Sequence, residues 1–220
     1  MKAKKHTRGP GKKKGQIRII GGKWRGRKLS VVTQHGVRPS SDRVRETLFN
    51  WLSPRLDRAT SLDLYAGTGA LGFEALSRGG QHTTFLDIDR KVIDTLQNHV
   101  EMLGAKNNAT ILERDALEWL RGTKRVEYDI VFLDPPFGRG FIEASLGELP
   151  NGWLKDRAWV YLEAEETPIF RLNVEPWHMI RHGRTAHTQY ALLEFNNLVP
   201  YPTRRQVLRP DKDLGRQSSE

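Results

Sequence analysis

The stretch with the most chemistry in it is the apolar run Tyr128-Asp129-Ile130-Val131-Phe132-Leu133, which leads directly into Asp134-Pro135-Pro136-Phe137. Two consecutive prolines cannot continue a strand ladder, because neither has an N–H to donate. They make a stiff loop in which the Asp134 carboxylate and the Pro135 carbonyl both accept hydrogen bonds. An exocyclic amine on a nucleobase is a weak nucleophile, since its lone pair is delocalised into the ring. Two acceptors on its N–H bonds favour a pyramidal nitrogen and aim the lone pair at an electrophile. Phe137 adds a flat face on which a base drawn out of its helix can stack. These four residues suit that chemistry better than they suit a plain proline turn with a surface aromatic.

A second set of residues precedes this loop. Asp63-Leu64-Tyr65-Ala66-Gly67-Thr68-Gly69-Ala70-Leu71-Gly72 contains the G-x-G-x-x-G spacing. Such glycines serve a tight turn, close backbone approach to a ligand, and close helix–strand packing. Asp87 follows in Phe85-Leu86-Asp87-Ile88-Asp89, where a carboxylate can accept both hydroxyls of a ribose. Asp115-Ala116 then offers a side-chain acceptor and a backbone N–H to an adenine edge, although Asp115 serves equally well as a helix N-cap.

Elements that can hold these residues follow from hydrophobic periodicity. Strands are expected at Leu62–Ala66, Thr83–Ile88, Ala109–Leu112, Tyr128–Leu133 and Ala158–Glu163. Helices are expected at Ala70–Ser77, Val92–Leu103, Ala116–Leu120 and about Arg139–Leu149. That alternation implies right-handed βαβ units and a parallel sheet covered on both faces. Trp177–Arg181 and Thr188–Phe195, joined through His182-Gly183-Arg184, read as an antiparallel pair. Upstream, Gln16–Ile20, a Gly21-Gly22 turn and Lys23–Leu29 read as a basic β-hairpin. Ser40-Ser41-Asp42 then caps a helix with the stripe Val44, Leu48, Trp51, Leu52, which Pro54 ends. The expected fold is α/β: a Rossmann-like, doubly wound, mostly parallel seven-stranded sheet with a C-terminal antiparallel hairpin and a small N-terminal hairpin and helix. Its expected divisions are a disordered basic arm (1–15), the hairpin and helix (16–54), the main domain (55–197) and a flexible tail (198–220).

The chain has 220 residues, is 37% hydrophobic, and lacks cysteine. No apolar run approaches a membrane span, and no apolar stretch follows the basic start, so a cytoplasmic location is expected. Without cysteine there is no thiolate zinc site and no thiol to add to a pyrimidine ring. The seven histidines show no ligand spacing, so no metal is expected. The formal charge is +10 and is unevenly placed: residues 1–50 hold 15 Lys and Arg against Asp42 and Glu46, whereas the remainder is slightly acidic. Such a concentrated excess reads as a footprint for a polyanion.

The segments Asp63–Gly72, Asp87, Asp115 and Asp134–Phe137 resemble motifs I to IV of Rossmann-like S-adenosylmethionine methyltransferases that act on amino nitrogens. Gln16–Arg27 and Arg38-Pro39-Ser40-Ser41-Asp42-Arg43-Val44-Arg45-Glu46 to Leu52 resemble the leader of the bacterial RsmD family, whose members methylate a guanine N2 in 16S ribosomal RNA. The likeness spans roughly residues 16–195. It implies that Asp63, Ala66, Gly67 and Gly69 meet the methionine part of the cofactor, Asp87 and Ile88 the ribose side, and Asp115 and Ala116 the adenine. Asp134, Pro135 and Phe137 would hold the target base. Lys23, Arg25, Arg27, Arg38, Arg43 and Arg139 are the cations expected to meet ribosomal RNA, either free or in an assembled small subunit. Three alternatives differ in kind. A nicotinamide dehydrogenase fits the glycines and the following acid but leaves Asp134–Phe137 and the basic arm unexplained. A non-catalytic RNA-binding module leaves the strand-end motifs unexplained. An adenine-N6 methyltransferase needs the same Asp-Pro-Pro-Phe chemistry, and only the leader segment argues against it.

Overall fold

The computed structural model describes residues 15–32, 41–123, 126–164 and 176–197. Among these residues nine strands and five helices follow one another as β1 (Gln16–Arg18), β2 (Lys28–Ser30), α1 (Asp42–Leu52), β3 (Thr60–Asp63), α2 (Ala70–Ser77), β4 (His82–Asp87), α3 (Arg90–Leu103), β5 (Ala109–Glu113), α4 (Ala116–Leu120), β6 (Tyr128–Leu133), α5 (Phe141–Glu148), β7 (Leu154–Ala164), β8 (Trp177–Arg184) and β9 (Gln189–Asn196). Strands β3 to β9 form one sheet in the order β5-β4-β3-β6-β7-β9-β8, and β1 pairs with β2 in a separate antiparallel ribbon. All pairings from β5 to β7 are parallel, and β9 runs antiparallel to both β7 and β8. The expected architecture is therefore the observed one.

Side-chain alternation divides the core between the two faces of the sheet. Leu62, Leu64, Val131, Leu133, Val160 and Leu162 pack with α4 and α5. On the other face Phe85 meets α2 and α3, while Ile130, Phe132 and Tyr161 meet α1 and α2. Strand order reverses between the neighbours β3 and β6, which makes their carboxyl ends the place where an open α/β sheet binds ligands. Among the described residues no helix is long and apolar enough to cross a membrane.

Two turns depart from expectation. The N-terminal strand ends at Arg18 and not at Ile20, and the chain then makes a wide loop with a 3-10 turn over Gly22–Trp24. Ile20 and Gly21 leave the ladder because their amides are taken by a helix side chain, described below. Gly22 has φ +72°, and a Cβ there would stand 1.8 Å from the Ser77 carbonyl, so the loop lies directly on α2. In the C-terminal hairpin, His182-Gly183-Arg184 continues β8, and the turn comes at 185–188. Thr185 makes that turn: its N–H donates to the Thr188 carbonyl at 2.8 Å, and its hydroxyl accepts from the Thr188 amide at 3.0 Å. Gly183 serves close approach within the strand, since a Cβ would meet the Tyr190 ring at 2.5 Å.

Candidate active site

The loop after β3 shows what each glycine is for. Gly67 (φ +50°) and Gly69 (φ +72°) adopt left-handed conformations that side chains disfavour. The turn closes tightly, with the Gly69 amide 2.7 Å from the Ala66 carbonyl. At Gly69 a Cβ would strike the Phe73 ring at 2.6 Å, and at Gly72 it would strike the Phe85 ring at 2.3 Å. By contrast, a Cβ on Gly67 would meet nothing nearer than 4.0 Å, so this corner is open for a ligand to approach the backbone.

Carboxylates surround the turn. Asp63 is only 3% exposed and accepts from the Gly72 amide at 3.0 Å. Burial pushes its carboxyl up from the ordinary 3.8 to about 7, the Gly72 amide opposes this, and the Asp87 charge adds to it. Asp87 accepts from the Gly67 amide at 3.0 Å and the Asp89 amide at 2.9 Å, which fixes its carboxylate at the lip of the turn. Beside it Ile88 is 68% exposed, an apolar side chain standing where a flat ring could cover it. Asp115 caps α4 by accepting from the Glu118 amide at 2.9 Å, and Ala116 behind it is buried. Tyr65, which the sequence did not single out, reaches from the glycine turn to Ser145 on α5 (hydroxyl to hydroxyl, 3.2 Å) and lies against Phe141. Its charged neighbour is Asp115. An aromatic inside a glycine motif was the only signal that could have found it.

Strand register sets the remaining geometry. Phe85, Asp63, Phe132 and Tyr161 form one row across β4, β3, β6 and β7. Two residues further along, and on the same face, come Asp87, Asp134 and Glu163. Asp134 is half-buried, Pro135 buried and Phe137 half-buried, and the loop then opens through Gly138 and Gly140, both with positive φ. The structure thus brings the glycine turn, Asp87 and Asp134 to one edge of the sheet. Among the described residues no group of histidines and carboxylates could hold a metal ion.

The basic residues occupy the leader and loop surfaces. Lys23, Arg25, Arg27, Arg43 and Arg139 are exposed, with the Lys23 ammonium 4.4 Å from the centre of the Trp24 ring. Arg38 lies outside the described residues. The leader is held by side chains from α1, α2 and α3; Arg45 lies in the segment that carried the resemblance, whereas Glu74, Ser77 and His99 had no mark in the sequence. Fully buried Glu74 accepts from the Ile20 and Gly21 amides and from Arg78 Nε, each at 2.7 Å. Arg45, also buried, lies 3.8 Å from Glu74 and donates to the Arg18 carbonyl at 3.0 Å and to Asp42 at 2.6 Å. Ser77 accepts from the Trp24 amide and donates to the Gly21 carbonyl. On α3, His99 Nε2 accepts from the Ser30 amide at 3.0 Å, and burial holds this imidazole below 6.5 against a weaker pull from the Thr68 backbone.

Known proteins share this arrangement. A sequence model described as conserved hypothetical protein 95 matches residues 17–194. The small-subunit ribosomal RNA methyltransferase D of Escherichia coli K12 is 50% identical over 181 residues, covering 82% of this chain and 90% of that one. Its Haemophilus influenzae namesake is 40% identical over 185 residues, covering 82% and 95%. Among solved structures, the Escherichia coli protein yhhF superposes with a TM-score of 0.74 at 44% identity, over 83% of this chain and 99% of its own.

Proposed function

The chain belongs to the conserved hypothetical protein 95 family, the RsmD family, and from that premise we propose that it moves a methyl group from S-adenosylmethionine to the N2 amine of a guanine in small-subunit ribosomal RNA. The observation that carries the reading is the placing of Asp134 beside the open glycine turn, at the point where the strand order reverses.

The residues of the turn suit this cofactor. Asp87 offers a fixed carboxylate to ribose hydroxyls, Ile88 an apolar face to adenine, and Asp115 with the Ala116 amide an acceptor and a donor for the adenine edge. Asp63 and the turn at Ala66, Gly67 and Gly69 would face the cationic methionine end, which favours the charged form of Asp63. Once bound, the cofactor supplies an electrophilic methyl on sulfur. Asp134 and the Pro135 carbonyl hold the two amine N–H bonds, and Phe137 stacks on the base. With the cofactor bound, the amine lone pair would take the methyl, sulfur would keep the S–C bonding pair, and the proton then shed by nitrogen would pass to the Asp134 carboxylate that holds that N–H. No strong base is needed before attack, because the nitrogen becomes acidic only as the methyl arrives.

The RNA is held by charge. Lys23, Arg25, Arg27, Arg43 and Arg139 are placed for phosphates, whose contacts orient the substrate without reading its sequence. The substrate of this reading is ribosomal RNA, either free or within an assembled small subunit.

Methyl transfer from labelled cofactor into unmodified ribosomal RNA and small-subunit particles, followed by nucleoside analysis, tests the reading. N2-methylguanosine is the expected product, and N6-methyladenosine would replace this assignment with the adenine one. Under single-turnover conditions Asp134→Ala should slow transfer by ~10² or more, the scale of losing an orienting group, with cofactor affinity kept within a few fold. Near-normal turnover would remove the Asp134–Phe137 loop from the chemistry.

A further inference from the structure

Beside Asp134 stands a second carboxylate that the reading above leaves without a role. The pairing of Leu133 with Leu162 puts Glu163 one step along β7, next to Asp134 at the end of β6, and adjacent strands lie only about 4.8 Å apart. Both residues alternate to the face that carries Phe132 and Tyr161. Glu163 is 4% exposed, and its Oε1 accepts from the Tyr161 hydroxyl at 2.5 Å. Burial, followed by the charges of Glu163 and Asp134, drives the Tyr161 phenol well above its ordinary value of 10, so this hydroxyl stays a donor and fixes the carboxylate before any substrate arrives. Water competes little for a carboxylate so enclosed, and its charge acts at close range through a medium of low polarity.

Given base methylation at Asp134, we propose that Glu163 is a specificity-determining residue that makes the base site acceptor-only and thereby selects guanine. On the N1 side of its amine guanine carries donors alone, N1–H beside an N2–H bond, and its N3 lone pair lies on the other side. Adenine presents its N6–H donors beside an N1 lone pair. Two adjacent carboxylates therefore match guanine and repel adenine, a discrimination that the Asp-Pro-Pro-Phe loop by itself does not make. A donor aimed at a charged acceptor is worth roughly 10- to 100-fold in such a comparison, and a site left facing a lone pair loses that and more.

The test compares two substrates and one conservative variant. After the target nucleotide has been mapped with the wild-type enzyme, an RNA fragment is made with guanine there and, separately, with 2-aminopurine. The analogue keeps the 2-amine but has a lone pair at N1. Glu163→Gln retains the size and the acceptor for Tyr161 while replacing the charge with an amide that can turn an N–H toward N1. The wild-type enzyme should favour guanine in kcat/KM by about 10- to 100-fold. The variant should lose most of that preference, with its thermal midpoint and cofactor affinity close to wild type. A variant that slows both substrates equally and keeps the wild-type ratio would show that Glu163 only supports the fold, and would overturn the proposal while N2-methylguanosine formation stood. Wild-type methylation at adenine N6 would overturn the guanine reading and this inference together. If Glu163→Gln does not fold, Tyr161→Phe, which lacks only the hydroxyl that fixes Oε1, carries the same comparison: a reduced guanine preference supports the assignment, and an unchanged one overturns it.

Discussion

Asp63 is a carboxylate whose charge the folded chain resists. In the unfolded chain its carboxyl loses a proton near pH 3.8, and in the folded protein near 7. Between those values the folded state binds more protons than the unfolded one, so this group's contribution to stability is complete below pH 3.8 and declines as pH rises toward 7. The shift of about three units corresponds to a loss on the order of 4 kcal/mol at the alkaline end. Asp63→Asn keeps an oxygen for the Gly72 amide and has no proton to lose. Urea unfolding at pH 5 and pH 8 should therefore show the variant gaining on wild type at the higher pH. A difference that does not change with pH would mean that Asp63 is not held uncharged. The residues visible in the sequence were those whose meaning is local. Asp134 is followed by its prolines, Gly67 and Gly69 sit in their own turn, Asp87 closes its strand, and Asp115 opens the helix after the next one. Tyr161 and Glu163 read as ordinary strand residues, because what they do depends on β6 lying beside β7, a pairing no local pattern states. Asp115 read equally as ligand and as cap; one carboxylate oxygen caps α4, which leaves the other for the adenine contact proposed above.

At the scale of elements, alternation of strands and helices was enough for the sheet, since burial on both faces dictates apolar runs of strand length with amphipathic helices between them. The leader was less legible. Its glycines read as a hairpin turn, yet the backbone is shaped by Glu74, Ser77 and His99, which lie 53 to 69 residues further along the chain. Glu74 looks unremarkable in Ala70–Ser77, and only the folded chain shows a buried carboxylate gripping two amides and an arginine. Removing it strands the Ile20 and Gly21 amides and Arg78 Nε, and takes a buried counter-charge away from Arg45. Glu74→Ala should accordingly cost about 3–5 kcal/mol, the usual penalty for breaking a buried ionic network. Denaturant titration measures this, and a cost under about 1 kcal/mol, typical of a surface pair, would show that the leader is held by its apolar contacts alone.

At the scale of the whole molecule, the basic excess lies in the first fifth of the chain. Deleting residues 1–15 should weaken RNA binding and lower the slope of log affinity against log salt by about 0.7–0.9 for each phosphate that the arm neutralises. Cofactor affinity should stay nearly unchanged. Binding measured at several salt concentrations decides this, and an unaltered slope would deny the arm an electrostatic part.

The latch on α2 has a consequence of another kind. Helix α2 starts at the glycine turn and, one to two turns later, grips the leader through Glu74 and Ser77. Lys23, Arg25 and Arg27 are therefore mounted on the same beam as the catalytic edge, and the span between them is set by the protein. On the proposed reading the protein would work as a caliper. With the leader cations on phosphates and the base at Asp134, a nucleotide would be accepted by its distance in space from a phosphate, and the number of nucleotides between the two along the RNA would not enter.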